Sequence, residues 1–207
     1  MSSWGKAHAS ASNKPKFAPV DENAPDNRGD IYATNQGWVR AAGTKASGND
    51  NVNAQPEVLV AIGGLAGTSA TTGLRTPTIT RTRFVVGTTA NTDFTANDAN
   101  AQIDVEITFD EAVTVTGSPQ LTVTNGDQSG GGYGNLTLAY ISGESTANQL
   151  RFRKTSGGIG NTDVLTVSTL ALNGGTIKDT AAAAAGNTVA ATLTYASGIA
   201  VAKTVTS

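Results

Sequence analysis

The chain has no cysteine and one histidine, His8. Disulfides, thiolate chemistry, Cys-ligated zinc and iron–sulfur sites are therefore excluded. A Ser-His-Asp or Cys-His arrangement would have to use His8, which sits in a polar N-terminal stretch. Charged residues make up 14% and aromatics 5% of the 207 residues, and the formal net charge is -2. That balance gives no whole-chain electrostatic case for nucleic acid or an anionic membrane as partner. No segment approaches the ~18 consecutive apolar residues of a membrane span. The opening MSSWGKAHASASNKPKF has no continuous apolar run of the kind a secretory signal needs. The expectation is a protein made in a cytoplasm, with no cofactor and no metal.

Thr, Ala, Gly, Ser and Asn fill the space left by charge and aromatics. Low charge argues against ordinary disorder. Thr suits exposed strand faces, and Gly and Asn suit turns. From Ile103 onward apolar and polar residues alternate. Ile103, Val105, Ile107 and Phe109 fall on one face, with Asp104, Glu106 and Thr108 on the other. Leu121 and Val123, Leu136, Leu138 and Tyr140, Leu150 and Phe152, and Leu165 and Val167 repeat the pattern. Gly117-Ser118-Pro119, Asn125-Gly126, Ser142-Gly143 and Asn173-Gly174-Gly175 separate these runs. EVLVAI (57–62) and TITRTRFVV (78–86) read as earlier strands, and 188–195 and 199–206 as a last pair joined at Ser197-Gly198. Eight to ten short strands at this spacing predict an all-β, β-sandwich fold.

Residues 1–55 differ from the rest. They show no sustained period, and Pro15, Pro19 and Pro25 interrupt them. This stretch is expected to be an extended, mostly irregular N-terminal arm. Residues 56–207 are expected to be the sandwich, with its core at about 78–207. Both tryptophans lie in the arm. Isolated aromatics on a polar arm suit anchors that dock into a partner. Trp4, Phe17, Tyr32 and Trp38, with the basic Lys14 and Lys16, are the candidate partner-binding residues.

Other constellations carry less. Asp110 and Glu111 are strand neighbours pointing to opposite faces, a poor acid/base pair. Asp93, Asp98, Asp127, Asp163 and Asp179 lie in loop-like sequence without calcium-loop spacing, and read as turn aspartates. GGLAG (63–67) and SGGGYG (129–134) are not followed by Gly-Lys-Ser/Thr and are not phosphate loops. Arg81, Arg83, Arg151 and Arg153 read as a solvated basic sheet face.

The motifs FDEAV, VTGSPQL, YISG and LNGGTIKD resemble the bacterial immunoglobulin-like repeats of large surface adhesins. The matching positions are Phe109, Asp110, Glu111 and Val113; Val115, Gly117, Pro119 and Leu121; Tyr140, Ser142 and Gly143; and Leu172, Asn173, Gly174, Gly175, Ile177 and Asp179. The resemblance covers about half the chain. It implies an immunoglobulin-like β-sandwich that binds or spaces and does not catalyse. KPKF, YATNQGWV and EVLVAI resemble the starts of small virion proteins of marine tailed phages. That likeness implies a capsid decoration (cement) protein in the virion, assembled in the host cytoplasm. Its implied partners are the major capsid protein or other virion proteins and further copies of itself, with weak host-surface glycan contact. The alternatives are a host-surface or glycan-binding adhesion module, using loops such as 126–135 and 154–162, or a minor tail or neck component.

Overall fold

The computed structural model describes residues 31–43, 51, 53–66, 77, 79–86, 89–90, 102–126, 131–180, 192–194 and 202–204. Trp4, His8, Lys14, Lys16, Phe17, Asp93, Phe94, Asp98 and Asp127 lie outside these residues. The described part is all-β with packed sheets and contains no α-helix. Its strands are β1 (Ile31–Thr34), β2 (Gly37–Arg40), β3 (Glu57–Ala61), β4 (Ile79–Val86), β5 (Thr89–Ala90), β6 (Asp104–Phe109) and β7 (Val113–Thr116). They continue as β8 (Gln120–Gly126), β9 (Leu136–Ile141), β10 (Gln149–Ser156), β11 (Val164–Ala171), β12 (Thr176–Asp179), β13 (Thr192–Thr194) and β14 (Ala202–Thr204). The chain forms two compact units. One comprises Met1–Thr80, Thr108–Val115 and Ile177–Val189, and the other Arg81–Ile107, Thr116–Thr176 and Ala190–Ser207.

In the first unit, residues 31–40 form a β-hairpin where the sequence suggested irregular arm. β2 pairs with β1 on one side and β3 on the other, both antiparallel. The reason is cross-strand burial, which an isolated four-residue stretch cannot display. Ile31, Ala33 and Trp38 pack with Leu65 and Ala66, with Leu59, Val60 and Ile62 against them. Trp38 is 1% exposed, so it fills the interior of its own unit. Gly37 is obligatory at the hairpin. Its φ is +125°, and a Cβ there would run into the Val60 carbonyl oxygen and lie 2.5 Å from the Ile62 nitrogen.

In the second unit the apolar rows cross from strand to strand. Val167 faces Val123 and Val123 faces Leu136, while Leu170 faces Leu121 and Leu121 faces Leu138. A bulge between Val167 and Thr169 turns both Val167 and Leu170 inward, although they are three residues apart. Simple alternation therefore finds Val167 and misses Leu170. Ile103, Val105, Ile107, Leu150, Phe152 and Leu165 are also buried here, and Phe109 is buried in the first unit. Tyr140 is half-buried and its ring tilts against Phe152 at a centroid distance of 5.9 Å. Each fully buried aliphatic or Phe side chain contributes about 1.5–3 kcal/mol.

The large sheet runs β13-β11-β8-β9-β10-β6-β4-β5, with β14 also on β11. Among the described residues the last two strands do not pair with each other, where the sequence suggested a pair. β13 lies along residues 169–171 of β11 and β14 along 164–166. One long strand thus offers its open edge to two short ones, which satisfies more ladder groups than a free-standing hairpin would. β12 pairs with β7 in a separate two-stranded sheet. The turn before β12 has Asn173 at φ +49° and Gly174 at φ +77°, and the Gly175 amide donates to the Leu172 carbonyl at 2.8 Å. Two successive positive φ values mark a type I′ turn, which suits Asn-Gly.

Gly37→Ala tests the hairpin. In a Trp4→Phe background, the emission of Trp38 should shift red as the side chain gains water, and thermal stability should fall by ~2 kcal/mol or more. An unchanged spectrum and melting temperature would mean the hairpin is not packed as described.

Candidate functional site

β6 is buried at all six positions, although every second residue is polar. The sheet places β10 on one side of β6 and β4 on the other. The i, i+2 spacing puts Asp104 and Glu106 on one face of β6, Arg151 and Arg153 on one face of β10, and Arg81 and Arg83 on one face of β4. The three pairs meet. Glu106 Oε1 accepts from Arg83 Nε at 2.9 Å and from an Arg81 terminal nitrogen at 3.2 Å, and Oε2 accepts from Arg151 at 3.4 Å. Asp104 takes both Arg153 Nε at 2.9 Å and its terminal nitrogen at 2.8 Å, a bidentate pair, with Arg151 at 3.5 Å and the Gln102 amide at 3.1 Å. Arg153 also donates to Glu144 at 2.7 Å.

The expected solvated basic face is instead an ion-pair ladder with a buried centre and partly exposed outer arginines. Glu106 is 4% exposed, Asp104 1% and Arg151 5%. The hydrogen bonds from Arg153 to Asp104 and then Glu144 raise its pKa further above the ordinary guanidinium value. Such a network rigidifies, because the planar guanidinium forks fix both distance and angle between strands. The signal was present in the sequence as two Arg-x-Arg pairs and one Asp-x-Glu pair. What was missing was the knowledge that these strands are neighbours.

A second constellation lies in the first unit. Asp110, Glu111 and Asp179 are each at most 1% exposed. Ala33 bridges to Glu111 as a parallel β-bridge, and its amide donates to the Asp110 carbonyl at 2.8 Å. The Thr180 amide donates to the Ala112 carbonyl at 3.0 Å, which brings the end of β12 to this point. Both carboxyl oxygens of Glu111 lack a hydrogen-bond partner. Burial, then the charges of Asp110 and Asp179, push its pKa up to about 8. Near neutral pH Glu111 is thus mainly a neutral acid. Among the described residues, no group of three or more His, Cys, Asp or Glu side chains is arranged to hold a metal ion.

Tyr32 and Trp38 are buried within the first unit. Asp163 is buried and accepts from the Gly160 amide at 2.7 Å and the Asn125 side chain at 3.1 Å, the bonding of a loop brace. Tyr133 lies over Gly158, where a Cβ would come within 2.5 Å of its ring. Its half-buried ring is spent on that packing.

Two outcomes follow. Glu106→Ala removes the buried carboxylate shared by Arg81, Arg83 and Arg151 and should destabilise the fold by about 3–5 kcal/mol in chemical denaturation. A loss under ~1 kcal/mol would mean the ladder behaves as a surface network. For Glu111 the folded state keeps a proton that the unfolded chain releases. Stability from this group is full below pH 4.5 and is lost as pH rises through about 8. Glu111→Gln should flatten that decline and raise stability at pH 9. An unaltered pH profile would contradict the assignment.

No family model, curated protein or solved structure matches this chain.

Proposed function

We propose that the protein is a non-catalytic virion component of a tailed phage, a capsid decoration protein whose N-terminal region holds the shell while an immunoglobulin-like sandwich projects. One observation carries this reading. YATNQGWV and EVLVAI, the pieces that resemble phage virion proteins, are not scattered tail sequence. They are the β1–β2 hairpin and β3, and they build one three-stranded sheet. The adhesin-like motif halves likewise meet. A Cβ on Gly117 would lie 2.8 Å from the Gly175 Cα, and the Thr116 and Thr176 hydroxyls are 2.8 Å apart. Such close backbone approach explains why the motif carries glycine at both places.

The burial of Tyr32 and Trp38 refines the anchor set. They hold the first unit together, so shell contact is assigned to residues 1–30, with Trp4, Lys14, Lys16 and Phe17. The ion-pair ladder supports a spacer role, because it spends charge on holding strands in register.

Removing residues 1–30 spares the hairpin that starts at Ile31. The shortened protein should keep its melting temperature and lose co-sedimentation with phage particles stripped of the native protein. Retained decoration would refute the proposed anchor, and equal failure of the full chain to decorate would refute the virion assignment.

A further inference from the structure

β3 is the outer strand of its sheet, with β2 on one side and no strand on the other among the described residues. Edge strands normally carry a lysine, a proline or an inward charge that discourages further pairing. EVLVA has none of these within it. Its one charge, Glu57, pairs with Arg40 of β2 at 3.5 Å. The exception is a bulge. Trp38 faces Val60 and Val39 faces Val58, so Leu59 has no cross-strand partner. The bulge moves Val58 off the Trp38 side of the sheet and onto the side of Val39.

The consequence is a side-chain row with one open end. Tyr32 faces Val39 and Val39 faces Val58 across the three strands. Tyr32 is 8% exposed, Val39 1%, and Val58 43%, the only large exposed hydrophobic among the described residues. Beyond β1 the situation differs, because the Ala33 bridge to Glu111 already engages that edge. The sheet can thus grow in one direction only.

We infer that β3 is a self-association strand, pairing antiparallel with β3 of a second copy about a two-fold axis at Val58. In this register Val58 meets Val58 of the second copy, and Glu57 faces Leu59, so no carboxylate opposes another. The apolar row then runs unbroken through six strands, and the β3 edge on each copy is closed by that of the other. The interface is isologous and stops at a dimer. A five-residue strand pair falls below the ~1,200 Å² of a standard stable interface. The dimer is therefore weak in dilute solution and gains strength where copies are held side by side. This deepens the virion reading by naming how copies touch, yet it is tested on the protein alone, without particles.

The chain lacks cysteine, so an introduced one is unique. Facing Cα atoms in an antiparallel pair lie ~4.5–5.5 Å apart, within disulfide reach. Val58→Cys should form a disulfide-linked dimer under mild oxidation about tenfold faster than Thr114→Cys, an exposed strand control, because pairing raises its effective concentration. Wild-type protein should show concentration-dependent dimerisation in sedimentation between micromolar and millimolar levels. Val58→Lys should abolish it without changing the melting temperature. Equal cross-linking of the two cysteine variants, a wild type monomeric at millimolar concentration, or dimerisation untouched by Val58→Lys would each overturn the inference.

Discussion

Two carboxylates on β6 and four guanidiniums on its neighbours set the terms for the large sheet. Removing charges from water costs several kcal/mol per ion, and only good geometry offsets it. Here Glu106 reaches three arginines and Asp104 two. The bidentate contact from Arg153 to Asp104 is the most directional of these. With the charges satisfied, β6 can be buried on both faces while still alternating apolar and polar residues. A register slip of one residue would put Asp104 and Glu106 into the apolar layer and the isoleucines among the arginines. The ladder therefore selects strand order and register as well as contributing stability.

The acids just beyond β6 obey the opposite logic. Asp110, Glu111 and Asp179 are as buried as Asp104, but among the described residues no cation meets the Glu111 carboxylate. The chain answers the same desolvation cost with a proton instead of an arginine. Near neutral pH the folded state thus stores a conditional destabilisation in the first unit. Glu111 lies in the FDEAV segment, where the sequence showed only a poor acid/base pair with Asp110.

The small sheet of the first unit shows how little sequence is needed to make a packed unit. Two four-residue strands and one five-residue strand enclose Trp38, with Gly37 permitting the backbone approach that seats it. The same sheet leaves Val58 at its rim. Burial and exposure within a single cross-strand row thus separate the part of the unit that holds it together from the part available to another chain.

The β-rich class, the turn positions and the inward rows from Ile103 to Val167 were legible in the sequence, because period-2 alternation and Asn-Gly turns are local signals. The absence of cysteine and the isolation of His8 likewise limited the chemistry without any structure. Strand adjacency was not legible. It decided that Arg81, Arg83, Arg151 and Arg153 form an ion-pair ladder on β6, that β13 and β14 both lie on β11, and that Leu170 turns inward after a bulge. It also decided that Tyr32 and Trp38 are interior. The physical reason is common to all four. A side chain's environment depends on which strands flank it, and those partners lie tens of residues away, beyond the reach of any local pattern.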